Sequence, residues 1–76
     1  MEQLLEFLAR SLVDNPDEVR VETANEEDAT VLELHVAEED AGQLIGRRGR
    51  TITALRTVMR ACGAANDRRV LVDLVD

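Results

Sequence analysis

The chain has 76 residues with sixteen acids, nine basic residues, a net charge of −7 and a single aromatic, Phe7. This length suits one small domain that buries only about 60% of its unfolded-chain surface, and the missing Trp and Tyr count against nucleic-acid readers built on aromatic stacking platforms. One Cys (Cys62) and one His (His35) exclude an intramolecular disulfide and a structural Cys/His zinc site, while the lack of a signal segment or an apolar run near the roughly 20 residues of a membrane span predicts a cytoplasmic protein.

Residues 2–14, EQLLEFLARSLVD, place Leu4, Leu5, Leu8 and Leu12 on one stripe, the pattern of an amphipathic helix. Asn15-Pro16 ends it, because the residue before Pro is steered out of the α region. Residues 18–23, EVRVET, alternate Val19 and Val21 with charged neighbours and predict a half-buried strand. After the acidic connection 25-NEEDA-29, residues 30–36 set Leu32, Leu34 and Val36 against Val31, Glu33 and His35, a second strand. The short connection predicts an antiparallel hairpin.

Residues 38–45, EEDAGQLI, open on three carboxylates that suit a helix N-terminus. This short helix runs into Gly46-Arg47-Arg48-Gly49. Residues 50–62 then place Ile52, Leu55, Val58, Met59 and Cys62 on one face of a longer helix, with Gly63 as its stop. A third strand, 69–75, sets Val70, Val72 and Leu74 against Leu71, Asp73 and Val75. The order α-β-β-α-α-β predicts an α+β fold, with one three-stranded mixed sheet and helices packed on one face. The crossover through two helices allows the third strand to run parallel to the second.

Charge is segregated along this order. Residues 1–40 carry a net −11, whereas residues 41–66 hold Arg47, Arg48, Arg50, Arg56 and Arg60 without a single acid. Screening limits surface fields to about 8–10 Å at physiological salt, so the local +5 matters more than the overall charge. Within it, Gly46 and Gly49 admit positive φ and close backbone approach. The helix that follows offers unpaired N–H groups and a positive dipole end, an anion site. Arg47 and Arg48 add two guanidinium groups suited to phosphate oxygens. A solvated corner would explain the glycines, but not two arginines in a carboxylate-free stretch.

Ile45-Gly46-Arg47-Arg48-Gly49-Arg50-Thr51-Ile52 resembles the I-G-x-x-G-x-x-I signature of KH domains, whose GXXG loop grips about four nucleotides of single-stranded nucleic acid. The element order resembles the type II KH fold, and the resemblance spans residues 1–76 as a single KH domain. The Leu-rich first helix, DNPDEVRVE and the apolar last strand are most similar to the small bacterial single-KH proteins of the KhpA family. This resemblance implies a single-stranded RNA-binding protein, an RNA chaperone or post-transcriptional regulator, without catalysis or cofactor. It implies a clamp of Gly46, Arg47, Arg48 and Gly49, with Arg50 beside it. Bases would enter an aliphatic groove walled by Leu44, Ile45 and Ile52, with Leu34 or Val36 contributing from the strand. It also implies a homodimer, or a heteromer with a larger KH protein of the KhpB (Jag) type.

Two other uses fit parts of the sequence. The acidic face could dock basic proteins as a scaffold, and 38–45 with 50–62 could form a helix-turn-helix for duplex DNA. The second has few base-reading Asn or Gln on its recognition helix. Arg56 and Arg60, four apart on the flank of the second long helix, are open to solvated, partner-binding or RNA-contacting roles. His35 reads as a surface or edge residue and Cys62 as a small buried hydrophobe. No nucleophile–base–orienter set is present, so catalysis is not expected. Loop 25–29 is expected to repel indiscriminate nucleic acid, so that neutralising Glu26, Glu27 and Asp28 raises non-specific affinity.

Overall fold

The computed structural model describes residues 1–75. Helix α1 (Glu2–Leu12) leads through a 3₁₀ turn at Pro16–Glu18 into β1 (Arg20–Asn25) and β2 (Thr30–His35). Helix α2 (Glu38–Ile45), a second 3₁₀ turn at Arg47–Gly49, α3 (Arg50–Ala65) and β3 (Val70–Val75) complete the chain. β2 is the central strand, antiparallel to β1 and parallel to β3. This is the type II KH arrangement, with the order and strand directions anticipated from the residues.

The core lies between the sheet and the three helices. Leu32 and Leu34 of β2 and Val70 and Val72 of β3 point inward, against Leu5 and Ala9 of α1, Leu44 of α2, and Ile52, Leu55 and Met59 of α3. Alternation in β2 and β3 therefore reports the buried face correctly.

Details differ from the sequence reading. β1 starts at Arg20 rather than Glu18, because Pro16 opens a turn in which the Val19 N–H donates to the Pro16 carbonyl (3.1 Å). Val19 is still buried, as a residue leading into the strand. β1 continues to Asn25, and the Glu26 N–H closes the remaining loop onto the Ala29 carbonyl at 2.7 Å. In α1 the buried line is Leu5–Ala9, with Leu8 half-buried, while Leu4 and Leu12 stay exposed. In α3 the buried line is Ile52, Leu55, Met59 and Gly63, leaving Val58 exposed and Cys62 half-buried.

Gly63 does not stop α3, which runs on to Ala65. A Cβ at this position would lie 2.5 Å from Val70 Cγ2 and 2.7 Å from the Arg68 carbonyl oxygen. The missing side chain lets the last turn of α3 sit directly on the start of β3. The Gly63 carbonyl then accepts from the N–H groups of Asn66 (2.9 Å) and Arg68 (2.8 Å), and these close the helix end.

Asp40, one of the three carboxylates opening α2, is turned inward and buried. Its two oxygens accept from the backbone N–H groups of Asp14 (3.3 Å) and Asn15 (3.1 Å) and from Asn15 Nδ2 (3.1 Å). Asn15 Nδ2 also donates to Glu39 at 3.0 Å. α1 itself ends at Leu12, before Asn15, and Asn15 ties the α1–β1 connection to the start of α2, the helix that delivers the glycine-arginine loop.

Candidate nucleic-acid interface

The segment from Ile45 to Arg50 turns the chain from α2 into α3 in four residues. At Gly46, φ is +73° with ψ −179°, a region open only to glycine, and the Gly46 N–H donates to the Gly42 carbonyl at 3.0 Å. A Cβ here would collide with Thr51, standing 2.9 Å from its Cβ and 3.1 Å from its backbone nitrogen. Gly49 is left-handed (φ +73°, ψ 15°), yet a Cβ there would meet nothing within 4 Å. The first glycine is required by both conformation and space, the second by conformation alone.

Between them, Arg48 also adopts a left-handed conformation (φ 58°, ψ 28°). A non-glycine residue there costs about 1–2 kcal/mol. The turn is closed by the Gly49 N–H donating to the Gly46 carbonyl at 3.3 Å. Arg47, Arg48 and Arg50 are all exposed. Among the described residues no carboxylate lies within 4.0 Å of the guanidinium groups of Arg47, Arg48, Arg50, Arg56 or Arg60. Among the described residues no side chain caps the first turn of α3; the Arg50 N–H donates back to the Arg47 carbonyl, and the positive end of the helix dipole faces the corner. The corner joins two unpaired arginines, a neighbouring third and a helix N-terminus, which together can hold phosphate oxygens.

The apolar residues expected around the loop separate into two sets. Ile45 is 44% exposed and flanks the loop, whereas Leu44 and Ile52 lie in the core beneath it. Leu34 is fully buried on the central strand, so it belongs to no sheet edge; Val36 is half-buried. The edge beside α3 is β3. The Thr30 N–H bonds the Arg69 carbonyl at 2.8 Å, so carbonyls of β3 alternate, and that of Val72 faces away from β2. Arg56 Nε donates to it at 3.2 Å. Arg56 thus ties α3 to the outer edge of the sheet, a bond that charge and helical spacing alone did not reveal.

The acidic loop 26–28 lies at the other end of α3. Its neighbour Thr30 meets Arg69 at the start of β3, next to the Gly63 end of the helix. Sixteen residues of helix separate that end from the loop, about 24 Å at 1.5 Å per residue. Among the described residues, no helix is long and apolar enough to cross a membrane.

Residues 2–74 match the family model described as the KhpA/KhpB KH domain. A protein of Streptomyces coelicolor named RNA-binding protein KhpA is 50% identical over 76 residues, covering all of this chain and 92% of its own. The protein of the same name from Clostridium acetobutylicum is 48% identical over 99% of this chain and 100% of its own. That from Borreliella burgdorferi is 46% identical over 97% and 90%. No solved structure matches. With its helix–strand order, its glycine-bracketed arginine corner and these full-length similarities, the chain belongs to the KhpA/KhpB family of KH domains, which is not an enzyme family.

Proposed function

We propose that the chain is a single-domain, cytoplasmic protein that binds single-stranded RNA and acts as an RNA chaperone or post-transcriptional regulator. One observation carries this reading: two exposed arginines without ion-pair partners among the described residues, held between two positive-φ glycines at the start of α3. The name shared by its relatives, RNA-binding protein KhpA, points the same way. Arg47 and Arg48 hold phosphates at the positive end of the α3 dipole, and Arg50 approaches the adjoining phosphate. Ile45 offers the exposed apolar contact for a base. Leu44 and Ile52 form the floor beneath it and reach a base only where the walls part.

With two or three phosphates neutralised, binding is weak, and log K falls with log salt at a slope of roughly −1.4 to −2.1. Pairing two such modules raises avidity without new contacts. We therefore assign the working form to a homodimer, or to a heteromer with a KhpB-type partner, the second kind named by the family model. The double substitution Arg47→Asp/Arg48→Asp is expected to abolish binding to a single-stranded RNA oligomer while leaving the circular-dichroism spectrum unchanged. A folded double variant with wild-type RNA affinity would overturn the clamp. If it also kept its protein partners after RNase treatment, the acidic face would be the working surface.

A further inference from the structure

The face of the sheet turned away from the helices carries a cluster that the clamp does not use. On it, β1 presents Arg20, Glu22 and Ala24, β2 presents Val31, Glu33 and His35, and β3 presents Leu71, Asp73 and Val75. The register sets Glu22 opposite Glu33, and Glu33 opposite Asp73, so three carboxylates stand abreast. Like charges directly opposed across strands destabilise a sheet.

His35 is diagonal to Glu22 and two residues from Glu33 on the same strand. Its Nε2 is shielded from solvent and has no hydrogen-bond partner among the described residues. The nearest carboxylate oxygen, Glu22 Oε2, is 3.8 Å away, too far for a hydrogen bond. The other oxygen, Glu22 Oε1, is held by Arg20 Nε at 3.1 Å, which aims Oε2 toward the imidazole. One donor atom from each of Glu22, Glu33 and His35 lies within 4.8 Å of the others.

We propose that Glu22, Glu33 and His35 form a binding site for a borderline divalent cation, with Zn²⁺ as its best ligand. Ligands around Zn²⁺ at about 2.0–2.2 Å stand roughly 3.4 Å apart, so closing the site takes side-chain shifts of about 1 Å. The ion gives Nε2 a partner, relieves the carboxylate repulsion and leaves its remaining positions to water. An imidazole with two carboxylates favours Zn²⁺, Co²⁺ or Ni²⁺ over the all-oxygen preference of Mg²⁺ and Ca²⁺. Glu22 is 51% exposed and Arg20 adds a positive charge beside it, so micromolar rather than nanomolar affinity is expected. The bound ion would join β1 to the central strand through side chains, and so hold the edge of a small sheet.

The test uses the full chain after chelator treatment, titrated with ZnCl₂ by calorimetry and by imidazole ¹⁵N NMR. His35 is the only histidine, so its Nε2 resonance is unambiguous. Expected are one Zn²⁺ per chain, a shift of the Nε2 resonance on binding, and a rise in Tm of several degrees. His35→Ala and Glu33→Gln should each weaken binding at least tenfold, and a hundredfold excess of MgCl₂ should not compete. Should His35→Ala fail to fold, Glu22→Gln at the exposed edge serves as the second variant. Zn²⁺ binding that leaves the Nε2 resonance in place, survives the substitutions or yields to Mg²⁺ would overturn the site. So would no binding at millimolar ZnCl₂.

Discussion

At the residue scale, the two glycines of the corner are not equivalent. Gly46→Ala is expected to destabilise the fold by roughly 1–3 kcal/mol from backbone conformation alone, with the overlap on Thr51 added. Gly49→Ala has open space and is expected to lose only about 1–2 kcal/mol, the left-handed penalty. Urea denaturation of the two variants side by side checks the order; equal losses would remove the assigned role of Thr51. Arg48 carries a left-handed conformation as an ordinary residue, and such strain collects where a side chain must be aimed. The residue types of the loop were legible in the sequence. The conformation of Arg48 was not, because nothing local demands it; the closing bond from Gly49 to Gly46 and the start of α3 impose it together.

Among the elements, α2 is short and delivers the clamp, so its anchoring matters beyond its length. Asp40 fastens it to Asp14 and Asn15, residues about 25 positions away. Asp40→Ala leaves two backbone N–H groups without their acceptor and is expected to destabilise by about 1–3 kcal/mol, a loss that thermal unfolding would register. A surface carboxylate serving only the helix dipole would contribute about 0.3–1 kcal/mol, so a small loss would return Asp40 to that role. The sequence marked the three acids as a helix start but not which one turns inward. That choice depends on the α1–β1 connection passing over the first turn of α2. The burial of Ala9 and the packing role of Gly63 leave no mark in the sequence for a related reason: both are small, and helical periodicity weights large apolar residues, whereas close contact between elements selects the small ones. Leu4, Leu12 and Val58 show the converse, apolar positions at helical spacing that the packing leaves in solvent.

Across the whole molecule, charge segregation becomes a separation in space. The acidic loop and the clamp occupy opposite ends of α3, about 24 Å apart, against a Debye length of about 8 Å at physiological salt. Neutralising Glu26, Glu27 and Asp28 is therefore expected to change affinity for a four-nucleotide RNA by less than about twofold, rather than to raise it as charge counting suggested. A larger gain in a fluorescence-anisotropy titration at physiological salt would restore the field of the loop as a filter. The sequence by itself determined the order of elements, the buried faces of β2 and β3, and the glycine-arginine corner, because each rests on local periodicity or on backbone freedom within a few residues. Only the tertiary structure decided that β2 is central and β3 the edge, that Arg56 binds that edge, that Asp40 is buried, and that Glu22, Glu33 and His35 converge. These arise from strand register and helix placement, which join residues distant in sequence and leave no periodic mark on either partner.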